Sequence, residues 1–239
     1  MIGKDMIMKA QQAGVFKEGM RDSIALGIPF VLLYLSFGML GTEQGLSLTG
    51  SLATTVFVYS TPLQVLLMQS HSSGWILAPV ILMLNARFAL MAAALSPYVK
   101  ETKNSRIFAS AILIAPSIFT GCITRFKHDT RHAFHYFLGM GIPLYVVSIL
   151  CTLVGAMAGA GPVSPAMLAI MTMILPLQIT SMMARHWPHY FDVGSYWIGF
   201  ILSPLLVHFF GKYNLLLTPF LAGAAMVLLE NHRKKGRTE

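Results

Sequence analysis

The sequence predicts an all-α protein, a polytopic membrane helical bundle of about seven or eight transmembrane segments with interrupted helices. Composition is the first reason: 55% of the 239 residues are hydrophobic and only 11% are charged, whereas soluble domains carry about a quarter charged residues. The second reason is that long apolar segments are separated by connections as short as 42–45 and 161–162. The third is that prolines and polar residues interrupt some of these segments.

Eight apolar segments account for most of the chain. They lie at about 23–41, 46–69, 74–98, 106–124, 134–160, 163–184, 194–211 and 214–230. A helix needs about 20 apolar residues, within a range of about 17 to 25, to cross a bilayer. Residues 23–230 are therefore predicted to form a single transmembrane domain. A cytoplasmic amphipathic segment, 1–22, precedes this domain, and a basic cytoplasmic tail, 231–239, follows it.

Lysine and arginine are grouped between the apolar segments, which explains the net charge of +8 without nucleic acid. Basic residues at the ends of membrane segments meet anionic headgroups and set orientation. With eight crossings and the head inside, 12 Lys and Arg lie on the cytoplasmic side and 4 outside. This count predicts that both termini are cytoplasmic. It also places the clusters at 100–106 and 125–131 on opposite sides, unless the fourth segment re-enters the bilayer as buried backbone.

Two stretches of the sequence repeat at a separation of 114 residues. Gly27-Ile28-Pro29 recurs at 141–143, Pro62-Leu63-Gln64 recurs at 176–178, and residues 23–68 and 137–182 share nine identities in 46 positions. We interpret this as a two-fold internal repeat with halves 23–125 and 134–230; chance matching between apolar sequences is the alternative. Interrupted helices at matching positions of two halves point to a transporter binding site.

Polar residues inside the apolar segments are the candidate substrate-binding residues. They are Ser60, Thr61, Gln64, Asn85, Arg87 and Gln178. A guanidinium near the bilayer centre costs about 2.5–3.5 kcal/mol on insertion scales, and it can hold a carboxylate through paired hydrogen bonds. The alternative is a structural Arg87 that binds carbonyl groups freed at a broken helix.

Prolines mark the predicted helix breaks, because proline removes a backbone donor and clashes with the preceding turn. The predicted breaks are Pro62, Pro116 and Pro176.

The residue pattern favours no enzyme, metal or cofactor. The sequence contains no His-Glu-x-x-His, no paired aspartates inside a segment and no nucleophile beside a base. Cys122 and Cys151 lie in different apolar segments without metal-type spacing. A secondary transporter is the leading hypothesis. An uncoupled channel or a structural subunit of a membrane complex is the alternative, because no Asp or Glu stands well inside any segment.

Short motifs occur in a characteristic order along the first three quarters of the chain. They are Gly45-Leu46-Ser47, Ser60 to Gln64, Asn85-Ala86-Arg87, Leu95-Ser96-Pro97 and Tyr136-Phe137-Leu138-Gly139. In their order and spacing the chain resembles the AzlC/YgaZ family of branched-chain amino-acid exporters, large subunit. The resemblance implies export of valine, leucine or isoleucine across the bacterial inner membrane. It also implies a small AzlD-type membrane subunit as a partner.

Two positions depart from the pattern of that family. Phe88 stands where the family commonly has histidine after the Asn-x-Arg arginine, and 115–118 reads Ala-Pro-Ser-Ile where an acidic pair is common. Proton coupling through those acids is therefore not expected in this chain.

Overall fold

The computed structural model describes residues 2–69, 74–100, 102–184, 190–210, 218 and 221–228. Every regular element in these ranges is a helix, which confirms the all-α prediction. The helices are α1 (Ile2–Glu43), α2 (Leu48–Phe57), α3 (Thr61–Gln69), α4 (Gly74–Leu95), α5 (Asn104–Ser110), α6 (Pro116–Phe126), α7 (Ala133–Gly159), α8 (Pro165–Ala184) and α9 (Tyr190–Phe210). Short 3-10 turns occupy Ser96–Tyr98 and Ala111–Leu113.

Two of the described helices are long and apolar enough to cross a membrane, judged by length and composition. They are Met8–Glu43 of α1 and Ala133–Gly159, which is α7. The count of seven or eight transmembrane segments remains a prediction. Because α1 is continuous from Ile2, the amphipathic head predicted at 1–22 and the first apolar segment share one helix.

The chain forms two compact units, residues 1–175 and residues 176–239, whose boundary lies within α8. In the second unit the hydroxyl groups of Thr180 and Tyr196 lie 2.8 Å apart. The sequence motifs between Gly45 and Gly139 all lie in the first unit, which is built around the pair α1 and α7.

Helices α1 and α7 run parallel and touch backbone to backbone. The backbone of Phe16 lies against Gly139, that of Leu35 against Gly155 and that of Met39 against Gly159, so the residue numbers rise together along both helices. Glycine permits this approach because it has no Cβ atom.

Two hydrogen bonds between α1 and α7 join residues that are 114 positions apart. The Tyr136 hydroxyl donates to Asp22 over 2.7 Å, and the Thr42 hydroxyl donates to the Ala156 carbonyl over 3.2 Å. The separation equals that of the sequence repeat, and the repeat itself remains a prediction.

The second apolar segment, 46–69, is a helical hairpin. Helix α2 ends at Phe57, the chain turns at 58–60, and α3 runs back beside α2. The Gln64 side chain donates to the Thr55 hydroxyl over 3.1 Å, and Ser51 and Met68 both lie beside Gly41 of α1. The two ends of this first hairpin (α2 and α3) are therefore at the same level of α1.

The fourth apolar segment, 106–124, also folds back. Helix α5 and the turn after it reach Leu113, which packs on Gly141 of α7. The chain is extended at Ala115 and starts α6 at Pro116. Helix α6 then returns toward the start of α7, where the rings of Phe126 and Tyr136 lie 6.1 Å apart. We call this element, α5 to α6, the second hairpin.

The three predicted helix breaks have different structures. Pro62 lies in the first turn of α3 and Pro116 is the first residue of α6, positions where a helix needs no proline N–H. Pro176 instead lies inside α8, which continues as a helix from Pro165 to Ala184. The expected interruption at Pro176 is not observed, because the hydrogen bonds of the flanking turns carry the helix past the missing donor.

Candidate functional site

Arg87 lies in α4 and reaches the tip of the first hairpin. Its Nη2 atom donates to the Ser60 hydroxyl oxygen over 3.4 Å, and its guanidinium carbon lies 4.9 Å from the ring centre of Phe88. The Nε atom is buried and makes no hydrogen bond to the described residues. None of the ion pairs found in those residues involves Arg87. The guanidinium is thus charged, largely enclosed and short of acceptors.

The backbone at the hairpin tip is held in an uncommon conformation. Tyr59 has φ of 43°, a left-handed conformation that costs about 1–3 kcal/mol for a non-glycine residue. Its ring lies 5.8 Å from that of Tyr34, nearly parallel, and 5.0 Å from that of Tyr145, edge-on. The Tyr145 hydroxyl also donates to the Val56 carbonyl over 2.7 Å. These contacts fix the tip and so place Ser60 in front of Arg87.

A chain of buried polar side chains runs from the first hairpin to α7. The Gln64 amide nitrogen donates to the Thr55 hydroxyl, which lies 3.0 Å from the Thr152 hydroxyl. All three side chains are fully buried. The Gln64 amide oxygen makes no hydrogen bond to the described residues. Exchanging the amide oxygen and nitrogen would leave the nitrogen without an acceptor instead, so either assignment leaves one amide atom free for a further partner.

Comparison with known proteins identifies the family to which the chain belongs. The model of the family described as AzlC protein matches residues 24–162. The chain belongs to the AzlC family. The matched range runs from α1 to the end of α7 and includes both hairpins and Arg87.

One curated relative is the inner membrane protein YgaZ of Escherichia coli (strain K12). It is 22% identical to this chain over 174 residues, which is 70% of this chain and 71% of the relative. No solved structure matches.

The remaining predicted site residues of this AzlC-family chain occupy different places. Thr61 lies next to the Tyr34 hydroxyl at the hairpin tip. Asn85 is partly buried and makes no side-chain hydrogen bond to the described residues; it lies two residues before Arg87, on another face of α4. The side chain of Gln178 lies outside the described part of the chain, and its backbone belongs to the second unit.

An apolar groove of about 380 Å³ lies beside the second hairpin. It is bounded by the C-terminal half of α4, by α5 and by the start of α7. Its lining residues include Ala92, Ile114, Phe126 and Phe137. The Ile114 end of the groove is the tip of the second hairpin, and the Ala92 end is little more than one helical turn from Arg87.

Sequence reasoning missed Tyr59, Thr55 and Thr152. Hydroxyl residues are common in membrane helices, where they pack closely and bond to their own backbone. Thr152 does bond to the Ser148 carbonyl over 2.9 Å. Only the hairpin places Thr55 and Gln64 side by side against Thr152, and no local sequence signal marks that arrangement.

Proposed function

We propose that this AzlC-family protein is a secondary transporter of the bacterial inner membrane that exports branched-chain or other small apolar amino acids. The observation that carries the proposal is the Arg87 guanidinium, which has a buried unpaired Nε and one long hydrogen bond to Ser60. A charged group enclosed in this way requires a counter-charge or several acceptors.

A substrate carboxylate supplies that counter-charge. No Asp or Glu stands well inside an apolar segment, so an anion for Arg87 has to come from outside the transmembrane region. The planar guanidinium binds a carboxylate through two parallel hydrogen bonds. Ser60 is the residue that the incoming carboxylate replaces or joins.

Gln64 is suited to the ammonium end of the same molecule. It lies four residues after Ser60, and its backbone N–H donates to the Ser60 carbonyl over 2.8 Å, so the two residues are one turn apart at the start of α3. When its amide nitrogen donates to Thr55, its free oxygen accepts a hydrogen bond, whereas the free Nε of Arg87 donates one. A free acceptor on Gln64 and a free donor on Arg87, which bonds to Ser60 one turn before Gln64, complement the two ends of a zwitterion. Thr61 and Asn85 complete the proposed binding set in the first unit.

The apolar groove supports a substrate with an apolar side chain. Its lining includes four phenylalanine rings, Phe108, Phe126, Phe134 and Phe137, and few polar atoms. Burying a leucine or valine side chain there gains about 1.5–3 kcal/mol relative to water. A charged side chain would gain nothing and would lose its hydration.

The alternative function is an uncoupled channel or a structural subunit. We expect liposomes that contain the purified protein and are loaded with labelled leucine to release it with saturable kinetics. Valine and isoleucine should compete, and glutamate should not, because the groove is apolar. Release that rises linearly with leucine concentration and shows no competition would favour the channel. The control is liposomes without protein.

We further propose a small AzlD-type membrane subunit as the partner. The exposed faces of α7 and α8 are apolar and include small residues such as Ala158 and Ala169, which allow close helix association. The same release assay tests this: the chain alone should export slowly, and the complex at least several-fold faster. Full export by the chain alone would contradict the partner and leave the exporter proposal intact.

Gln64→Leu should slow export several-fold without loss of stability. Leucine has a similar volume, and removal of an incompletely bonded buried amide is close to neutral for folding. Export and thermal melting in detergent are measured together, with exposed Gln11→Leu on α1 as the matched control. If Gln64→Leu and Gln11→Leu export alike, Gln64 does not contact the substrate.

A further inference from the structure

We propose that the two hairpins are re-entrant elements that enter the bilayer from opposite faces, and that the substrate binds between their tips beside Arg87. The arrangement of the hairpins stands on the geometry alone; the position of the substrate rests on the proposed function.

The helices of both hairpins have half the length of a membrane span. Helices α2 and α3 contain 10 and 9 residues and α6 contains 11, and the 7 residues of α5 are extended by the 3-10 turn of 3 residues that follows it. At 1.5 Å per residue each is about 14–17 Å long, and the hydrocarbon core of a bilayer is about 30 Å thick. Each hairpin therefore reaches the middle of the bilayer and returns.

The hairpins start from opposite ends of the α1 and α7 pair. Because α1 and α7 are parallel and Met39 lies against Gly159, their C-terminal ends lie together, and the start of α7 lies beside the N-terminal half of α1, where Phe16 contacts Gly139. The ends of the first hairpin lie beside Gly41, near the C-terminal end of α1. The ends of the second hairpin share the apolar groove with Phe134, in the first turn of α7. Helix α4 connects the two levels in a single passage of 22 residues.

The two tips meet at one level of α7. Tyr59 at the first tip packs on Tyr145, and Leu113 at the second tip packs on Gly141. These two α7 residues are one helical turn, about 6 Å, apart. Irregular backbone at membrane depth is stable only when protein or a cavity surrounds it, and both tips contribute residues to one buried cluster, Tyr59 from the first and Leu113 and Ala115 from the second.

The distribution of basic residues agrees with two re-entrant elements. Residues 1–175 contain ten Lys and Arg outside the apolar segments: four in the head, three at 100–106 and three at 125–131. With both hairpins returning, all ten lie at the same end, and none lies at the other. A fourth segment that crossed would place 100–106 on the opposite side. The positive-inside rule therefore favours return and makes this end cytoplasmic.

An ion pair joins two parts of this basic end directly. Arg125 donates to Glu18 of α1 from Nε and Nη2, over 2.9 and 3.0 Å. Hydrogen bonds from Arg131 lower the pKa of the Asp129 carboxyl to about 2, so Asp129 stays ionised throughout the cellular pH range. The head and the connection 127–132 thus form one charged surface.

Each hairpin then separates the substrate position from one side of the membrane. The second hairpin and its apolar groove lie between Arg87 and the basic, cytoplasmic end. The first hairpin lies between Arg87 and the other end. Export requires the second hairpin to admit the amino acid and the first to release it.

Single cysteines test the arrangement of the hairpins without any transport assay. In a background lacking Cys122 and Cys151, cysteine replaces Lys103, Lys127, Thr49 or Gly161, all of which are exposed. Intact cells are treated with a membrane-impermeant maleimide. We expect Thr49→Cys and Gly161→Cys to react, and Lys103→Cys and Lys127→Cys to react only after permeabilisation. Lys9→Cys in the head is the cytoplasmic reference.

Reaction of Lys103→Cys but not Lys127→Cys in intact cells would mean that the fourth segment crosses, which overturns the proposal. The substrate position has its own test, because Ile114 lines the groove at the second tip. Saturating leucine should slow the reaction of Ile114→Cys with a permeant maleimide several-fold. An unchanged rate would contradict the position between the tips and leave the labelling of the hairpin ends unaffected.

Discussion

Arg87→Gln should abolish most export while the protein still folds and inserts. Hydrogen bonds to a charged group contribute about 1.5–3 kcal/mol, which corresponds to about 10- to 100-fold in substrate affinity. Glutamine retains a donor for Ser60, whose oxygen lies 3.4 Å from the guanidinium in the parent protein. It cannot supply the positive charge that a carboxylate requires.

The substitution Arg87→Lys tests whether export needs only the positive charge of Arg87 or also the planar shape of its guanidinium. Lysine keeps the positive charge but loses the planar pair of donors, so export should remain well below the parental level. Asn85→Ala is a useful comparison in the same helix because Asn85 makes no side-chain hydrogen bond to the described residues. Its effect on folding should be small.

Efflux and thermal melting have to be measured on the same preparations of Arg87 variants. A structural arginine that bonds carbonyls would also be needed for transport, and its loss would lower the melting temperature. Export at the parental rate by a well-folded Arg87→Gln variant would contradict the proposal that Arg87 binds the substrate carboxylate. A variant that fails to fold would identify a structural arginine instead.

The sequence was sufficient to place Ser60 and Arg87 in one set of candidate binding residues, and in the structure Arg87 donates to Ser60. Both are polar interruptions of apolar segments, and the cost of polar groups in hydrocarbon makes such interruptions cluster. The all-α class followed from the same apolar pattern.

The sequence could not predict that the segments 46–69 and 106–124 fold back as hairpins. The 24 residues of 46–69 are enough for one membrane crossing or for two half-length helices. Hydropathy is the same in both cases, so it does not show whether the chain crosses or folds back. The turn at Tyr59 uses a tyrosine in a left-handed conformation, where glycine would have been the expected signal. Its conformation depends on Tyr34 and Tyr145, which are distant in sequence.

Gly155→Ala should cause a large loss of stability, because Gly155 is one of the glycines at which α1 and α7 touch backbone to backbone. A Cβ atom at Gly155 would meet the carbonyl oxygen of Leu35, which is backbone and cannot rotate away. Helices α1 and α7 would have to separate, and overpacking of a close contact costs about 1–3 kcal/mol or more. Alanine's better helix propensity returns only about 1 kcal/mol.

Gly27→Ala is the matched control for this substitution, because a Cβ atom at Gly27 of α1 would have no neighbour within 4 Å. Melting in detergent should therefore fall by several degrees for Gly155→Ala and stay level or rise for Gly27→Ala. Gly38 packs against the same stretch of α7, at Thr152 and Gly155. Once Gly155→Ala has moved the helices apart, a methyl group at Gly38 should lower the melting temperature little further. The Gly38→Ala, Gly155→Ala double variant should therefore lose less melting temperature than the sum of the losses of the two single variants. Equal melting of Gly155→Ala and the parent would show that the contact between α1 and α7 is looser than the structure indicates.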